Sequence, residues 1–168
     1  MREILFRGKD KDTGRWIQGG FHIWEKRMLN PIGVDYLKDD EIAYTITVNS
    51  FADWNMPRTM QAVEVIPETV GQYTGLNDKN GTKIFEGDIL HIKTGNGWTC
   101  PKGTDIYYEV VFTDFNIQCN STTEYIGFVA KRGKSLSSIY YIIDQYGAEV
   151  VGNKYDNPEL LGTEKANE

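Results

Sequence analysis

Glu86 and Asp88 are the two carboxylates in the sequence whose spacing best suits a chemical role. On an extended chain residues i and i+2 point the same way, so this pair could hold a divalent cation or exchange protons with a substrate. The favoured alternative is structural, because Glu86-Gly87-Asp88 is typical of a turn that leads into a strand. In such a turn the Asp88 carboxylate accepts hydrogen bonds from nearby backbone N–H groups. A metal-dependent hydrolase is therefore the least favoured interpretation.

The other potential ligands are scattered along the chain: His22, His91, Cys100 and Cys119. No two of them have the local spacing of a zinc site, and no local pair suggests a cysteine–histidine nucleophile. The glycines at positions 71, 75, 81 and 87 do not form a phosphate-binding loop, and turn formation explains them. The sequence therefore predicts no catalytic residue, no metal and no cofactor.

The acidic pair belongs to a stretch from Val63 to Ile92 that is rich in turn signals. Pro67 ends a predicted strand or places it at a sheet edge, and Asn80-Gly81 readily supplies positive φ angles. Short apolar runs on either side are candidates for the core. We interpret the stretch as a folding device, in which the candidate functional surface is limited to its polar residues: Gln72, Thr74, Glu86 and Asp88.

Most of the remaining chain is predicted to form short strands. Ile42 to Val48 alternates apolar residues with period two, and Ile106 to Phe112 is rich in β-branched and aromatic residues. Ser138 to Ile143 is predicted as a further strand. The one helical signal lies near the end, where Pro158 fits a first helical turn that Gly162 ends. The pattern is typical of antiparallel barrels or small packed sheets with very little helix.

Composition limits the class of protein. A chain of 168 residues forms one domain or two small ones and can fold without a disulfide or a metal. The net charge of −6 disfavours non-specific binding to phosphate backbones. The chain has no apolar run of signal-peptide or membrane-spanning length. We therefore expect a cytoplasmic protein with reduced thiols, although a disulfide between Cys100 and Cys119 stays open.

A single-stranded nucleic-acid-binding barrel is an alternative, because small barrels often present aromatic side chains to unpaired bases. A basic turn, Lys131-Arg132-x-Lys134, is available. The acidic total and the lack of a basic stripe oppose this function. The aromatic residues that could serve are Tyr107, Tyr108, Phe112, Tyr125, Tyr140 and Tyr141.

The central stretch resembles the YopX family of phage and prophage proteins. The similarity lies in Val63 to Leu76, in Asp78-Lys79-Asn80-Gly81 and in Ile84-Phe85-Glu86-Gly87-Asp88-Ile89-Leu90. Both ends of the chain agree, with Phe6-Arg7-Gly8-Lys9, Gly14-x-Trp16-Ile17-x-Gly19 and the run from Glu149 to Leu161. The resemblance implies a mostly β fold whose C-terminal part is similar to an SH3-type barrel, and it attaches no biochemical activity.

From the residues and the resemblance together we expect an N-terminal β-rich region over residues 1–62 and an SH3-like β-barrel domain over residues 63–168. The expected function is that of a phage or prophage accessory protein in the host cytoplasm. It would be a non-enzymatic binding or assembly module that contacts protein partners. Because many short strands leave edges that subunits can cover by pairing, we also expect a homo-oligomer.

Overall fold

The computed structural model describes residues 3–26, 42–49, 59–94, 103–119 and 121–162. The chain is mostly β, with two antiparallel sheets and few helices, which confirms the predicted fold class. It divides into two compact units, Met1–Gln72 and Tyr73–Glu168. The division at residue 62 and the SH3-like barrel stay predictions. Within the described residues no helix is long and apolar enough to cross a membrane.

The first unit is built from an antiparallel sheet in which β4, β3, β2, β1 and the start of β5 lie side by side. The strands are β1 (Phe6–Lys9), β2 (Trp16–Glu25), β3 (Ile42–Asn49), β4 (Met60–Glu64) and β5 (Gly71–Asn77). The strand predicted over Ile42 to Val48 is confirmed as β3, but its burial does not follow the predicted alternation, since its buried residues are Ala43, Thr45 and Ile46. A 3-10 turn at Pro67–Thr69 precedes β5, as expected for a proline that ends a strand.

The second unit contains a five-stranded antiparallel sheet in the order β10-β9-β8-β7-β11. Its strands are β7 (Asp88–Thr94), β8 (Thr104–Cys119), β9 (Ser121–Arg132), β10 (Ser135–Ser137) and β11 (Glu149–Asn153), while the short β6 (Lys83–Phe85) pairs with β5. The helices are α1 (Ile139–Tyr146) and α2 (Glu159–Gly162). The second of these confirms the helical turn predicted at Pro158.

The core of the second unit lies between α1 and one face of its sheet. Ile139 and Ile142 of α1 are 2% exposed and pack with buried residues of β7, β8 and β9: Leu90, Ile92, Ile106, Val110 and Ala130. This face sets which side chains of the β8–β9 hairpin are covered. Cys119 ends β8, whereas Cys100 lies outside the described residues, so their pairing stays open.

The strand predicted over Ser138 to Ile143 is wrong, because the segment is α1. Three local signals favour a helix there. The Ser138 side chain accepts a hydrogen bond from the Tyr141 N–H at 3.4 Å, as an N-cap does. Gly147 ends the helix in the left-handed region at φ 62°. Between them the apolar residues recur at helical spacing, and the β-branched isoleucines that suggested a strand fill the core instead.

Candidate functional site

Asp88 closes a tight turn rather than facing solvent. It is 1% exposed, and its Oδ2 accepts a hydrogen bond from the Phe85 N–H at 2.7 Å. Between the two carboxylates, Gly87 has φ +80°, so the chain is not extended there and the premise of two parallel carboxylates fails. Asp88 therefore takes the role that the structural alternative assigned to it.

The same turn is fixed by β8 and by the segment that follows β11. The Gly87 N–H donates to the Val110 carbonyl at 2.8 Å, and the Gly87 carbonyl accepts from the Lys154 N–H at 2.9 Å. A Cβ at Gly87 would lie 3.4 Å from the Tyr155 ring. Position 87 therefore requires a residue that tolerates positive φ and a close neighbour at the same time.

Asn153 organises a second turn, at the end of β11. It pairs with Asp88 in the β11–β7 register. Its Oδ1 accepts from the N–H groups of Tyr155 and Asp156, both at 3.0 Å, and its Nδ2 donates to Asp156 Oδ2 at 2.8 Å. We call the residues Gly87, Asp88, Gly152 and Asn153 the paired turns. They bring together two of the stretches that carry the family resemblance, and the side chains of Asp88 and Asn153 each bond to groups of their own turn.

The other predicted surface residues have mixed surroundings. Gln72 is half-buried and pairs with Phe6 in the first unit. Thr74 lies in the second unit, where its hydroxyl donates to the Ile84 carbonyl at 2.9 Å and accepts from the Leu76 N–H at 3.2 Å. Glu86 is half-buried beside Asp88. A functional role for these four residues stays a prediction.

Sequence reasoning missed a cluster around His91, at the middle of β7. Its Nε2 lies 2.8 Å from Asp105 Oδ1, and its Nδ1 lies 3.6 Å from Glu149 Oε1. Lys79 Nζ approaches Glu149 Oε2 at 3.1 Å. Hydrogen bonds from Lys79 and Asn80 hold the pKa of Glu149 below its usual value. The residues come from three strands and a turn, so no local spacing could have revealed them. His91 thus contacts carboxylates from β8 and β11, the two strands that pair with β7.

A polar cleft of about 400 Å³ lies beside this cluster. Its carboxylates already have basic partners, since Asp105 contacts His91 and Glu109 Oε1 lies 3.4 Å from Lys154 Nζ. In the described part of the chain no group of three or more His, Cys, Asp or Glu residues could hold a metal ion. The cleft is lined by Thr104, Asp105, Ile106, Tyr107, Glu109, Lys131, Arg132, Gly133, Leu160 and Leu161.

The β8–β9 hairpin carries an apolar face that extends past the core. Val110 and Ala130 are opposite each other and fully buried. Side chains two residues apart on a strand share a face, so Phe112 and Phe128, the next opposed pair, continue it, with ring centroids 5.0 Å apart. Phe112 is nevertheless 52% exposed, and Ile126, one step further on β9, is 74% exposed.

Exposed aromatic residues also lie on α1. Tyr140 is 64% exposed and Tyr141 is 52% exposed, while the Tyr141 and Tyr146 rings meet edge-on at 5.9 Å. The helix buries its isoleucines in the core and leaves its tyrosines outside. We call the hairpin residues Phe112, Ile126 and Phe128 the aromatic face.

The comparison with family models agrees with the resemblance noted above. A family model described as "YopX protein" matches residues 5–162. The crystal structure of protein EF1440 from Enterococcus faecalis is similar over 96% of this chain and 99% of that one, with 22% sequence identity and a TM-score of 0.49. No curated protein matches the chain.

Proposed function

The chain belongs to the YopX family, and we propose that it is a phage or prophage accessory protein that works by protein–protein contact and associates with itself. In this proposal it acts in the cytoplasm of the host, its C-terminal part is the SH3-like barrel of the family, and it catalyses no reaction. Glu86 and Asp88 do not support the alternative of a metal-dependent hydrolase, because the Asp88 carboxylate is buried and accepts a hydrogen bond from the Phe85 N–H.

The aromatic face carries the proposal. Covering a side chain such as Phe or Ile contributes about 1.5–3 kcal/mol, and Phe112 and Ile126 leave most of that contribution unused. Aromatic residues are also enriched at protein interfaces. A second copy of the chain could cover the face in a symmetric contact, in which each hairpin lies against the other.

Light scattering coupled to size exclusion tests the self-association. At micromolar concentration we expect a mass above that of one chain, 19.2 kDa. The double variant Phe112→Ser/Ile126→Ser should shift the protein to the mass of one chain, because serine removes the apolar side chains that the contact would bury. Met60→Ser is the matched control, since Met60 is 80% exposed but lies on β4 of the first unit.

A wild-type protein that stays monomeric at every concentration would remove the self-association. A heterologous contact would then be tested by affinity capture from cells that express the surrounding phage genes. Proteins retained by the wild type and by Met60→Ser, but lost with the double variant, would be the expected partners. Equal capture by the wild type and both variants would remove the aromatic face from the proposal.

Single-stranded nucleic acid remains the second candidate function, and the exposed rings of Phe112, Tyr140 and Tyr141 are the observation that favours it. A fluorescence titration with short DNA and RNA at two salt concentrations tests it. Binding through phosphates should weaken as salt rises. The absence of a salt-sensitive signal would discard this function.

A further inference from the structure

A groove lies beside β10, which is an edge strand of the second sheet. Within the described residues β10 pairs only with β9, so its other side presents backbone N–H and C=O groups that an added strand could use. The groove has a volume of about 430 Å³. Its lining residues are Val111, Phe112, Thr113, Lys131, Gly133, Lys134 and Leu136.

The groove combines an apolar centre with basic neighbours. Leu136 is 41% exposed and pairs with Lys131 across β10 and β9, so the two side chains share one face. Lys131 and Lys134 are both exposed, and every charged residue of the groove is a lysine. Because the whole chain carries a net charge of −6, this is a local reversal of sign that favours an acidic ligand.

We propose that this groove binds an extended acidic peptide segment, which adds a strand beside β10 and places an apolar side chain against Leu136. Acidic residues two positions before and after the apolar residue would lie on the same face and reach Lys131 and Lys134. The inference rests on the proposed function, a protein-binding module, and it names a partner chemistry and a surface distinct from the Ile126 end of the aromatic face.

A peptide fits the groove better than a nucleic acid does. Phosphates would satisfy the lysines, and Phe112 offers one exposed ring. Single strands, however, bind mainly by stacking successive bases on several aromatic rings, whereas Leu136 and Val111 are aliphatic. An edge strand offers its hydrogen bonds to another backbone in the β conformation. Because β10 has only three residues, few such bonds can form, and the side-chain contacts must supply much of the selectivity.

The test is a fluorescence-anisotropy titration of the full chain with a labelled peptide, Thr-Glu-Thr-Leu-Thr-Glu-Thr. We expect saturable binding that weakens as salt rises. Lys134→Glu should weaken it at least about tenfold, because an attraction becomes a repulsion, and Leu136→Ser should weaken it several-fold. Two control peptides, with Lys in place of Glu or with Ser in place of Leu, should bind correspondingly worse. Lys93→Glu is the matched protein control, since Lys93 is an exposed lysine of the same sheet that lies outside the groove.

The proposal is overturned if the peptide does not saturate, if Lys93→Glu weakens binding as much as Lys134→Glu does, or if an oligothymidine competes with the peptide and binds more tightly. Lys134 lies in an exposed turn, so its variant should remain folded, and circular dichroism verifies that. Light scattering on the same samples separates this site from self-association. If the monomeric chain binds the peptide, the groove proposal stands and self-association is rejected. If the chain forms an oligomer but does not bind the peptide, self-association stands and the groove proposal is rejected.

Discussion

The paired turns and the aromatic face belong to the same unit but satisfy their side chains in opposite ways. In the paired turns the carboxylate of Asp88 and the amide of Asn153 bond to nearby backbone groups, and both residues are more than 90% buried. On the aromatic face Phe112 and Ile126 continue the buried side of a hairpin beyond the core that covers Val110. The first region makes these hydrogen bonds within the chain, whereas the second exposes apolar surface.

This contrast separates the stretches that identify the family from the surface that suggests a role. Glu86-Gly87-Asp88 and the run from Gly152 to Asn157 are needed to join β7 to β11, and their residue types follow from that geometry. Changes there should lower stability. Changes on the aromatic face should leave stability nearly unaltered and affect association instead. Measuring both stability and association therefore tests whether the paired turns are structural and the aromatic face is an interaction surface.

The largest effect is expected from Asp88→Ala. The variant leaves the buried Phe85 N–H without its acceptor, which should lower the free energy of unfolding by about 3 kcal/mol. Asp88→Asn keeps an acceptor oxygen at the same position and should cost less. Urea denaturation at neutral pH measures both. A loss in Asp88→Ala no greater than that of an ordinary surface substitution would remove the structural role of this turn.

The role of Asp88 could be predicted from sequence because it depends on residues next to it in the chain. The His91 cluster could not, since it needs the register that sets Glu149 opposite His91 and brings Asp105 from a third strand. The helix α1 was missed although Ser138 and Gly147 mark its ends, because the isoleucines and tyrosines between them also have high strand propensity. Alternation along β9 predicts which residues share a face, but only tertiary packing decides that Ile126 lies beyond the core.

Asp78 lies in a third turn in which a buried polar side chain bonds to nearby backbone groups. It is 6% exposed, and its carboxylate accepts from the N–H groups of Val150 at 3.0 Å and of Asn80 and Thr82 at 2.8 Å each. Burial alone would raise the pKa of Asp78, but these hydrogen bonds outweigh it and hold the pKa below its ordinary value. Asp78→Asn should therefore cost about 2 kcal/mol at pH 7.

The pH dependence of that loss follows from the sign of the shift. A carboxylate whose pKa is lowered by folding stabilises the protein above its unfolded pKa, and the contribution is lost as pH falls through the folded value. The difference in stability between wild type and Asp78→Asn should thus be constant near neutrality and shrink below about pH 4. Thermal melts over a pH series measure it. A difference that is the same at pH 3 and pH 7 would show that the charge of Asp78 does not contribute.

A smaller effect is expected from Gly152→Ala, which tests how closely the paired turns are packed. A Cβ at position 152 would overlap the Asn157 side chain, so the variant should lose about 1–2 kcal/mol. The double variant Gly152→Ala/Asn157→Ala removes the overlapping atoms and should recover part of that loss. If the two substitutions are simply additive in urea denaturation, the overlap is not the cause.

The smallest effect on stability is expected at the exposed end of the hairpin. Val110→Ala should cost about 2 kcal/mol because Val110 is 0% exposed and its truncation leaves a cavity. Ile126→Ala removes more apolar volume from the same face, but Ile126 is 74% exposed. The free energy of unfolding of the monomer should therefore change by no more than about 0.5 kcal/mol.

Thermal melts of both variants at low and at high protein concentration test the contrast, because association stabilises only the form that binds. Wild type and Val110→Ala should then gain stability while Ile126→Ala gains less, since it lacks part of the apolar contact. If Ile126→Ala instead destabilises the monomer as much as Val110→Ala does, the hairpin end is covered by its own chain, and the difference between the two regions disappears.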